Sequence, residues 1–138
     1  MSEPQGPIRI AAAVIVDGDG RTLLVRKRGT RAFMQPGGKI AAHESAAEAL
    51  ARELREELGC EVAAKPRSLG SFRAPAANEA GRIVEAELFA VELSGTSSVG
   101  AEIEELAWID PNATGDIPLA PLTRDHVLPL VRTLWRDT

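Results

Sequence analysis

Residues 38–60, GKIAAHESAAEALARELREELGC, restrict the fold of this chain more than any other segment. The Ala, Leu, Glu and Arg that dominate its second half favour a helix over about 45–58. Ser45 at the N-cap with Glu48 three residues later forms a capping box, and Gly59 suits the position just after a helix. The predicted buried stripe of this helix consists of Ala46, Ala47, Leu50, Leu54 and Leu58.

Three glutamates of this helix, Glu53, Glu56 and Glu57, follow one another at i, i+3 and i+4. A helix places residues at those spacings on one face, where their like charges repel and cost stability. A divalent cation would relieve the repulsion, because hard cations such as Mg²⁺ prefer carboxylate oxygens and bridge readily to phosphate oxygens. The spacing therefore indicates a metal site, and the alternative is a surface helix with solvated charges.

The whole segment resembles the Nudix box, whose pattern is G-x5-E-x7-R-E-U-x-E-E-x-G-U with U an aliphatic residue. The matching positions are Gly38, Glu44, Arg52, Glu53, Leu54, Glu56, Glu57 and Gly59. Cys60 stands where Ile, Leu or Val is usual, and His43 stands where the family frequently has glycine. We interpret Cys60 as a small core residue and His43 as a solvated side chain. The PGGK at 36–39 is also similar to the family's lead-in.

Membership of this family would imply both a fold and an activity. The resemblance implies an α/β fold, the Nudix-type α/β/α sandwich with a mixed β-sheet, in a single domain over residues 1–138. Residues 1–7 would be a loose lead-in. The implied enzyme is a pyrophosphohydrolase that uses Mg²⁺ or Mn²⁺ and water to cleave a nucleoside diphosphate linked to another group.

The resemblance also implies a role for each charged residue of the box. Glu56 and Glu57 would be the main metal ligands, and Glu53 would be a further ligand or the base that deprotonates water. Arg52 would hold Glu53 in place, while Glu44 would brace the loop electrostatically. The implied catalytic set is Glu53, Arg52 and Glu44, and the implied metal set is the Gly37 carbonyl with Glu53, Glu56, Glu57 and Glu102.

The last of these metal ligands is the least defined by the sequence. In this family it often comes from a loop before a late strand that ends in Trp, which here is the stretch before Trp108. Glu102 is the favoured ligand and Glu105 is the alternative. Solvated loop charges would be a third explanation.

Candidate substrate contacts lie both inside and outside the box. A basic cluster at 26–31 would suit phosphate, although a solvated strand end would have the same composition. The predicted substrate-binding residues are Arg26, Arg28, Gly38, Lys39, Phe72 and Asn78, with Phe33, Arg73 and Arg124 as further candidates for the base or ribose pocket.

The substrate itself is predicted only by class. The short length and the PGGK sequence favour a MutT-like enzyme that cleaves a nucleoside triphosphate, oxidised or not, to a monophosphate and pyrophosphate. Pro75, fifteen residues after Cys60, supports the alternative of an ADP-ribose pyrophosphatase. The absence of tyrosine counts against the dinucleoside-polyphosphate subgroup. A non-catalytic module that senses a nucleotide is a further alternative, but such modules usually lose box glutamates that this chain keeps.

The composition limits the partners and the location. A formal net charge of −4 argues against binding a nucleic-acid polymer through a basic surface, and it favours a metal that lets an anionic substrate approach. No apolar run is long enough to span a membrane, so no membrane association is expected. A single cysteine and an N-terminus without a secretory signal favour the cytoplasm. A homodimer is compatible with the resemblance, since dimers are common in this fold.

Short strands and loops are predicted over the rest of the chain. The strands lie at 8–16, 22–27, 68–74, 83–93 and 106–109, with a turn at 17–20. Residues 102–105 are placed in a loop, and a C-terminal helix is predicted over about 123–135, with Pro129 disturbing its first turn. The predicted inward-facing residues of that helix are Leu128, Val131, Leu134 and Trp135.

Overall fold

The structure, a computed structural model, describes residues 6–95, 97–100 and 102–136. Within these ranges the strands are β1 (Ile8–Val14), β2 (Thr22–Lys27), β3 (Gly37–Lys39), β4 (Glu61–Val62), β5 (Arg67–Pro75), β6 (Ile83–Ala90), β7 (Leu93–Ser94) and β8 (Ile103–Ile109). The helices are α1 (Ala46–Leu58) and α2 (Leu128–Arg136), and a π-helical turn at Thr123–Val127 runs directly into α2. No helix in the described ranges is long and apolar enough to cross a membrane.

The largest sheet is mixed, as predicted. Its strand order is β3-β1-β6-β5, with β1 parallel to β6 and antiparallel to β3, and with β5 antiparallel to β6. Two smaller antiparallel pairs are formed by β2 with β8 and by β4 with β7. Because β1 and β6 are parallel, the chain must cross over between them, and α1 lies within that crossover.

The largest sheet is buried on both faces. Alternate residues of β1 point to opposite sides, so Ala11 and Ala13 pack in one hydrophobic cluster and Ala12 and Val14 pack in another. The first cluster contains the buried apolar residues of α1, and the second contains Val131 of α2. The sheet therefore lies between the two helices, which confirms the predicted α/β/α sandwich.

Helix α1 begins and ends where its sequence predicts. Ser45 N donates to Glu48 Oε1 at 2.8 Å, and Ser45 Oγ accepts from Glu48 N at 3.1 Å, so both halves of the capping box are present. Gly59 has a left-handed φ of 66°, and its N–H donates to the carbonyl oxygen of Arg55. These contacts are local, which is why a pattern of a few residues was sufficient to predict them.

The buried face of α1 differs from the prediction. Ala47 is exposed, whereas Ala49 is fully buried. Glu57 is buried as well, with 3% of its surface exposed. The helix packs against β3 at the edge of the sheet, and this contact turns the side that carries Ala49 and Glu57 inward.

The long strand predicted at 83–93 is two strands. β6 ends at Ala90, and the residues of β7 pair with β4 instead of continuing in the larger sheet. The alternation of apolar and polar residues continues between the two strands. The pattern therefore did not show where the chain leaves the larger sheet and begins to pair with β4. The strand predicted at 8–16 is also shorter, because regular pairing ends at Val14 and Val16 forms only an isolated bridge.

The last strand is longer than predicted. β8 begins at Ile103, not at Leu106, because its pairing with β2 continues past a register shift at Glu104 to the pair of Lys27 with Ile103. Glu104 and Glu105 therefore lie in a strand and not in a loop, and both are exposed. Consecutive glutamates obscured the alternation that would have indicated this strand.

The C-terminal helix begins as a π-helical turn. Leu128 N donates to the carbonyl oxygen five residues back, which is the spacing of a π-helix. Pro129 follows immediately, and it has no backbone N–H that could donate the next hydrogen bond of the helix. Leu128 and Val131 are buried as predicted, whereas Leu134 is only half-buried and the side chain of Trp135 lies outside the described part of the structure.

Candidate active site

Strand β3 is tightly enclosed by β1 and α1. Gly37 has a φ of 147°, and a Cβ there would overlap the carbonyl oxygen of Ala11 and lie 2.7 Å from the Cα of Ala12. At Gly38 a Cβ would lie 2.5, 2.6 and 2.8 Å from Cδ, Oε1 and Oε2 of Glu53. Gly37 therefore requires glycine, because neighbouring backbone leaves no space for a side chain, whereas a side chain at Gly38 would displace the Glu53 carboxylate.

Glu57 is the buried acid of this region. Its side chain is 3% exposed, and its Oε1 accepts a hydrogen bond of 2.9 Å from the N–H of Gly37. Its Oε2 has no hydrogen-bond partner among the described residues, and Lys27 Nζ lies 3.8 Å from it. Burial raises the pKa of Glu57 to about 7, and the charges of Glu53 and Glu102 add to the rise, while the Gly37 hydrogen bond and Lys27 oppose it. Further positive charge would let this carboxylate ionise fully at neutral pH.

Arg52 connects three parts of the region. Its guanidinium binds Glu44 through hydrogen bonds of 2.8 and 2.9 Å, and its Nη1 donates to Glu53 Oε1 at 2.9 Å. Its Nη2 also donates to the carbonyl oxygen of Lys39 at 3.2 Å. The hydrogen bonds from Arg52 lower the pKa of Glu44 to about 2, so this acid stays ionised. Arg52 thereby ties the loop after β3 to the glutamate face of α1.

The loop between β3 and α1 contains an unusual backbone conformation. His43 has a φ of 70° and is the only non-glycine residue with a positive φ in the described ranges. Glycine adopts this conformation without steric cost, so His43 holds a backbone geometry that glycine would adopt more readily. The side chain of His43 is exposed, and the next residue, Glu44, accepts the N–H of Ala41 at 3.0 Å.

The three glutamates of α1 share one face but differ in exposure. Glu57 is buried, Glu53 is 16% exposed and Glu56 is 59% exposed. No three His, Cys, Asp or Glu side chains in the described ranges converge into a preformed metal cluster, and Lys27 and Arg52 supply the counter-charges. The donor set nevertheless fits a hard cation. It consists of oxygens, and within the described residues the buried Oε2 of Glu57 lacks a hydrogen-bond partner.

The loop before β8 is anchored on the end of α1. Gly100 N donates to the carbonyl oxygen of Glu57 at 2.8 Å, and a Cβ on Gly100 would overlap the carbonyl oxygen of Glu56. The carbonyl oxygen of Glu102 accepts the N–H of Arg28 at 3.0 Å. This anchoring brings Glu102 close enough for its charge to contribute, after burial, to the raised pKa of Glu57.

The alternative acid, Glu105, is engaged elsewhere. Its Oε1 accepts hydrogen bonds from Arg26 Nε at 3.2 Å and from Arg26 Nη2 at 3.1 Å. Glu104 Oε2 likewise accepts from Arg28 Nη1 at 2.7 Å. Two arginines predicted to contact substrate are thus paired with glutamates across the β2–β8 ribbon.

A cavity of about 150 Å³ lies beside the glutamate face of α1. Gly37, Gly38 and Lys27 line this cavity and also contact Glu53 or Glu57. Most of the remaining lining is aliphatic or proline. Three of the six predicted substrate-binding residues line it, namely Gly38, Lys39 and Asn78.

The other candidates for a base or ribose pocket lie outside this cavity. Phe33 is buried in a separate hydrophobic cluster, and the ring centroid of Phe72 lies 5.5 Å from that of His126. Arg73 and Arg124 form ion pairs with neighbouring acids. The structure therefore does not bring these four residues together with the glutamates.

Gln35 lines the cavity but was not predicted as a site residue from the sequence. It is 5% exposed. The only feature of the sequence that marks it is its position as a polar residue after Phe33-Met34 and before Pro36-Gly37. Its hydrogen-bond partner, Thr123, follows 88 residues later in the π-helical turn. No local pattern could have indicated that contact.

Comparison with known proteins identifies the class to which this fold and site belong. A family model described as the NUDIX domain matches residues 6–131. The CTP pyrophosphohydrolase of Escherichia coli K12 is 35% identical over 117 residues, which cover 79% of this chain and 81% of that protein. A Mycobacterium tuberculosis protein, provisionally named 8-oxo-dGTP diphosphatase 2, is 36% identical over 101 residues, which cover 72% of this chain and 68% of that protein. The crystal structure of a MutT NUDIX hydrolase from Burkholderia pseudomallei superposes with a TM-score of 0.73 at 26% identity. The superposition covers 92% of this chain and 96% of that one.

The chain therefore belongs to the Nudix family. It is a Nudix pyrophosphohydrolase, an enzyme that hydrolyses pyrophosphate bonds in nucleotides. Nudix hydrolases generally use divalent metal ions. The predicted family, fold and reaction class are thereby confirmed.

Proposed function

We propose that this enzyme hydrolyses a nucleoside triphosphate, oxidised or not, to a nucleoside monophosphate and pyrophosphate. The observation that carries the proposal is the shared boundary between an apolar cavity and the glutamate face of α1, formed by Gly37, Gly38 and Lys27. The cavity has a volume of about 150 Å³, and an engineered cavity of about that size holds benzene, so one ring of a base fits. The names of the two relatives, CTP pyrophosphohydrolase and 8-oxo-dGTP diphosphatase, both refer to nucleoside triphosphates.

We assign the metal to the oxygen donors around Glu57. Glu56, Glu57 and the carbonyl of Gly37 would hold it, and Glu102 would supply the further carboxylate. Mg²⁺ or Mn²⁺, when bound, neutralises phosphate oxygens and makes a water molecule more acidic. The buried Oε2 of Glu57 and the all-oxygen donor set support this assignment.

Glu53 is the proposed base. It takes a proton from the attacking water, the water oxygen bonds to phosphorus, and the bond to the bridging oxygen breaks so that pyrophosphate leaves. Arg52 holds the Glu53 carboxylate in one orientation through the 2.9 Å hydrogen bond. Glu44 in turn holds Arg52 through two hydrogen bonds, and its lowered pKa keeps it ionised.

Lys27 and Lys39 are the proposed phosphate-binding side chains. Both line the cavity, and Lys27 Nζ already lies 3.8 Å from Glu57. Each is therefore within reach of an anion that enters beside the glutamates. Arg26 and Arg28 are less suited to this role, because neither lines the cavity and both bind glutamates of β8.

The cellular location and the oligomeric state of the enzyme are proposals as well. Cys60 is buried and forms no disulfide, which fits a reducing compartment such as the cytoplasm. A homodimer is compatible with the family, and sedimentation of the purified protein would measure it.

Product analysis on a nucleotide panel tests the proposed reaction. The four nucleoside triphosphates, their oxidised forms, ADP-ribose and a sugar phosphate would be incubated with the enzyme and Mg²⁺. Chromatography should show a nucleoside monophosphate and pyrophosphate from at least one triphosphate, and no turnover of the sugar phosphate. Glu53→Gln is the control that excludes a contaminating phosphatase, since it should lose the activity.

Each other outcome of the panel favours a different assignment. ADP-ribose as the best substrate would identify an ADP-ribose pyrophosphatase. Tight nucleotide binding without turnover would identify a sensor. Efficient hydrolysis of the sugar phosphate, a simple monoester, would contradict the proposed reaction.

A single methyl group at Gly38 tests the position of Glu53. We expect Gly38→Ala to lower kcat/KM by about tenfold or more, because a catalytic group displaced by an ångström loses much of its effect. The methyl group would meet the end of a flexible side chain, so the fold should survive while the hydrogen bond from Arg52 is disturbed. Steady-state kinetics and a melting curve measure both effects. Gly18→Ala is the control, since a Cβ there meets nothing within 4 Å, and wild-type kinetics for Gly38→Ala would contradict the role of Glu53.

A further inference from the structure

Gln35 is a buried amide in the lining of the cavity. It is 5% exposed, and its Oε1 accepts a hydrogen bond of 3.1 Å from Oγ1 of Thr123, which is itself fully buried. Its Nε2 has no hydrogen-bond partner among the described residues. A buried donor without a partner costs stability, and a ligand that brings a hydrogen-bond acceptor into the cavity would remove this cost.

The rest of the lining indicates which part of a ligand supplies that acceptor. The aliphatic residues of the lining suit the faces of a flat ring, and they include Ile8, Ile10, Ala12, Val84 and Leu122. The charged and polar residues at its mouth are at least partly exposed, namely Lys27, Lys39, Asn78 and Glu79. Among the described lining residues, Gln35 is therefore the only buried polar side chain, and it is suited to contact the edge of a base.

We propose that Gln35 Nε2 donates a hydrogen bond to an oxo group of the nucleobase, so that the enzyme prefers oxo-bearing bases to adenine. This inference rests on the proposed hydrolysis of nucleoside triphosphates. Thr123 is a positioning residue, because its hydroxyl engages Oε1 and leaves the amide N–H groups for the ligand. A carbonyl oxygen on the base accepts from those N–H groups, whereas the amino group of adenine would meet them donor to donor.

Two matched nucleotides measure this preference. Inosine triphosphate and purine riboside triphosphate share a ring system and differ in the 6-oxo group and the ring proton that accompanies it. The wild-type kcat/KM should be about 10- to 100-fold higher for the inosine nucleotide, the range expected when a buried donor keeps or loses its partner. Gln35→Met keeps the approximate volume but removes the donor, and it should reduce this ratio to about threefold or less.

Thr123→Val tests the positioning role. The substitution keeps the shape of the side chain and removes the hydroxyl, so the Gln35 amide is free to turn its oxygen toward the base. The ratio between the two nucleotides should fall, whereas a merely structural role would lower kcat/KM for both alike. Thr133→Val is the matched control, because Thr133 is an exposed residue of α2 whose hydroxyl donates to the carbonyl oxygen of Pro129 at 3.3 Å. It should keep the wild-type ratio.

Binding measurements separate this inference from the proposed function. Inosine monophosphate and purine riboside monophosphate would be titrated calorimetrically into the enzyme in chelator, after melting curves have shown that each variant is folded. Preferential binding of the inosine nucleotide that Gln35→Met abolishes would support the inference even if no triphosphate is hydrolysed, and the proposed function would then be wrong. No preference in the wild type, a preference for the purine riboside nucleotide, or an unchanged ratio in both variants would overturn the inference.

Discussion

Removing divalent cations with excess chelator should lower nucleotide hydrolysis to background, and adding Mg²⁺ or Mn²⁺ should restore it. The physical reason is charge, since Glu53, Glu56 and Glu57 present carboxylates to a substrate that is itself a polyanion. Lys27 lies beside Glu57, and Arg52 lies beside Glu53 and Glu56, so two positive charges face three carboxylates before the polyanion arrives. A continuous assay for released pyrophosphate, with metal titrated back into the stripped enzyme, measures the effect.

Two controls accompany this experiment, a chelator already saturated with metal and a different metal ion. Chelator saturated beforehand with Mg²⁺ should not inhibit, which excludes an effect of the chelator itself. Zn²⁺ should restore little activity, because the proposed ligands are carboxylate and carbonyl oxygens and include no His or Cys. Full activity in excess free chelator would show that the glutamate face acts without a metal and would contradict the mechanism.

Glu57→Gln should lower kcat/KM by about a hundredfold or more, which corresponds to about 2.7 kcal/mol of lost transition-state stabilisation. Glutamine keeps the size of the side chain and an oxygen that can accept the Gly37 N–H. It removes the negative charge that the proposed metal site requires. Kinetics across a range of Mg²⁺ concentrations measure the loss, and near-native turnover at saturating Mg²⁺ would remove Glu57 from the ligand set.

The same variant should be more stable than the wild type in chelator, and more so at high pH. The pKa of Glu57 is raised from 4.5 to about 7 in the folded protein. Below pH 4.5 the acid is neutral in both the folded and the unfolded state, so it contributes no pH dependence. Between pH 4.5 and 7 the unfolded state releases its proton first, so the wild type loses stability as pH rises, by about 3 kcal/mol in total. Glutamine does not titrate and avoids this loss.

Melting curves at pH 5 and pH 8 in chelator test this difference. The advantage of Glu57→Gln over the wild type should grow by several degrees between the two pH values. Glu61→Gln is the matched control, because Glu61 is 62% exposed and its ion pair with Arg55 is at the surface. The control should show no such growth. An advantage of Glu57→Gln that is equal at both pH values would show that Glu57 titrates normally.

Helix α1 shows how much of the site could be predicted from the sequence. Its capping box, its end at Gly59 and the common face of Glu53, Glu56 and Glu57 follow from contacts between residues at most four apart. The close match to the Nudix box then carried the family, the fold and the reaction class, all of which are confirmed. The roles of the individual site residues remain predictions.

Strand boundaries and electrostatic environments could not be predicted in the same way. The start of β8 at Ile103 depends on pairing with β2, and that pairing directs Glu105 to Arg26 and leaves Glu102 beside the end of α1. These contacts join residues between 43 and 79 positions apart. A local pattern of charged residues contains no information about which of them will face each other.

The sequence by itself determined the helix that carries the glutamates and their spacing, because helical geometry and capping depend on neighbouring residues. Only the tertiary structure decided that Glu57 is buried against Gly37 while Glu56 remains exposed. It also decided that Gln35 and Thr123 meet beside the cavity. The physical reason is that burial and desolvation, which shift a pKa or leave an amide without a partner, are set by strands and helices that meet from distant parts of the chain.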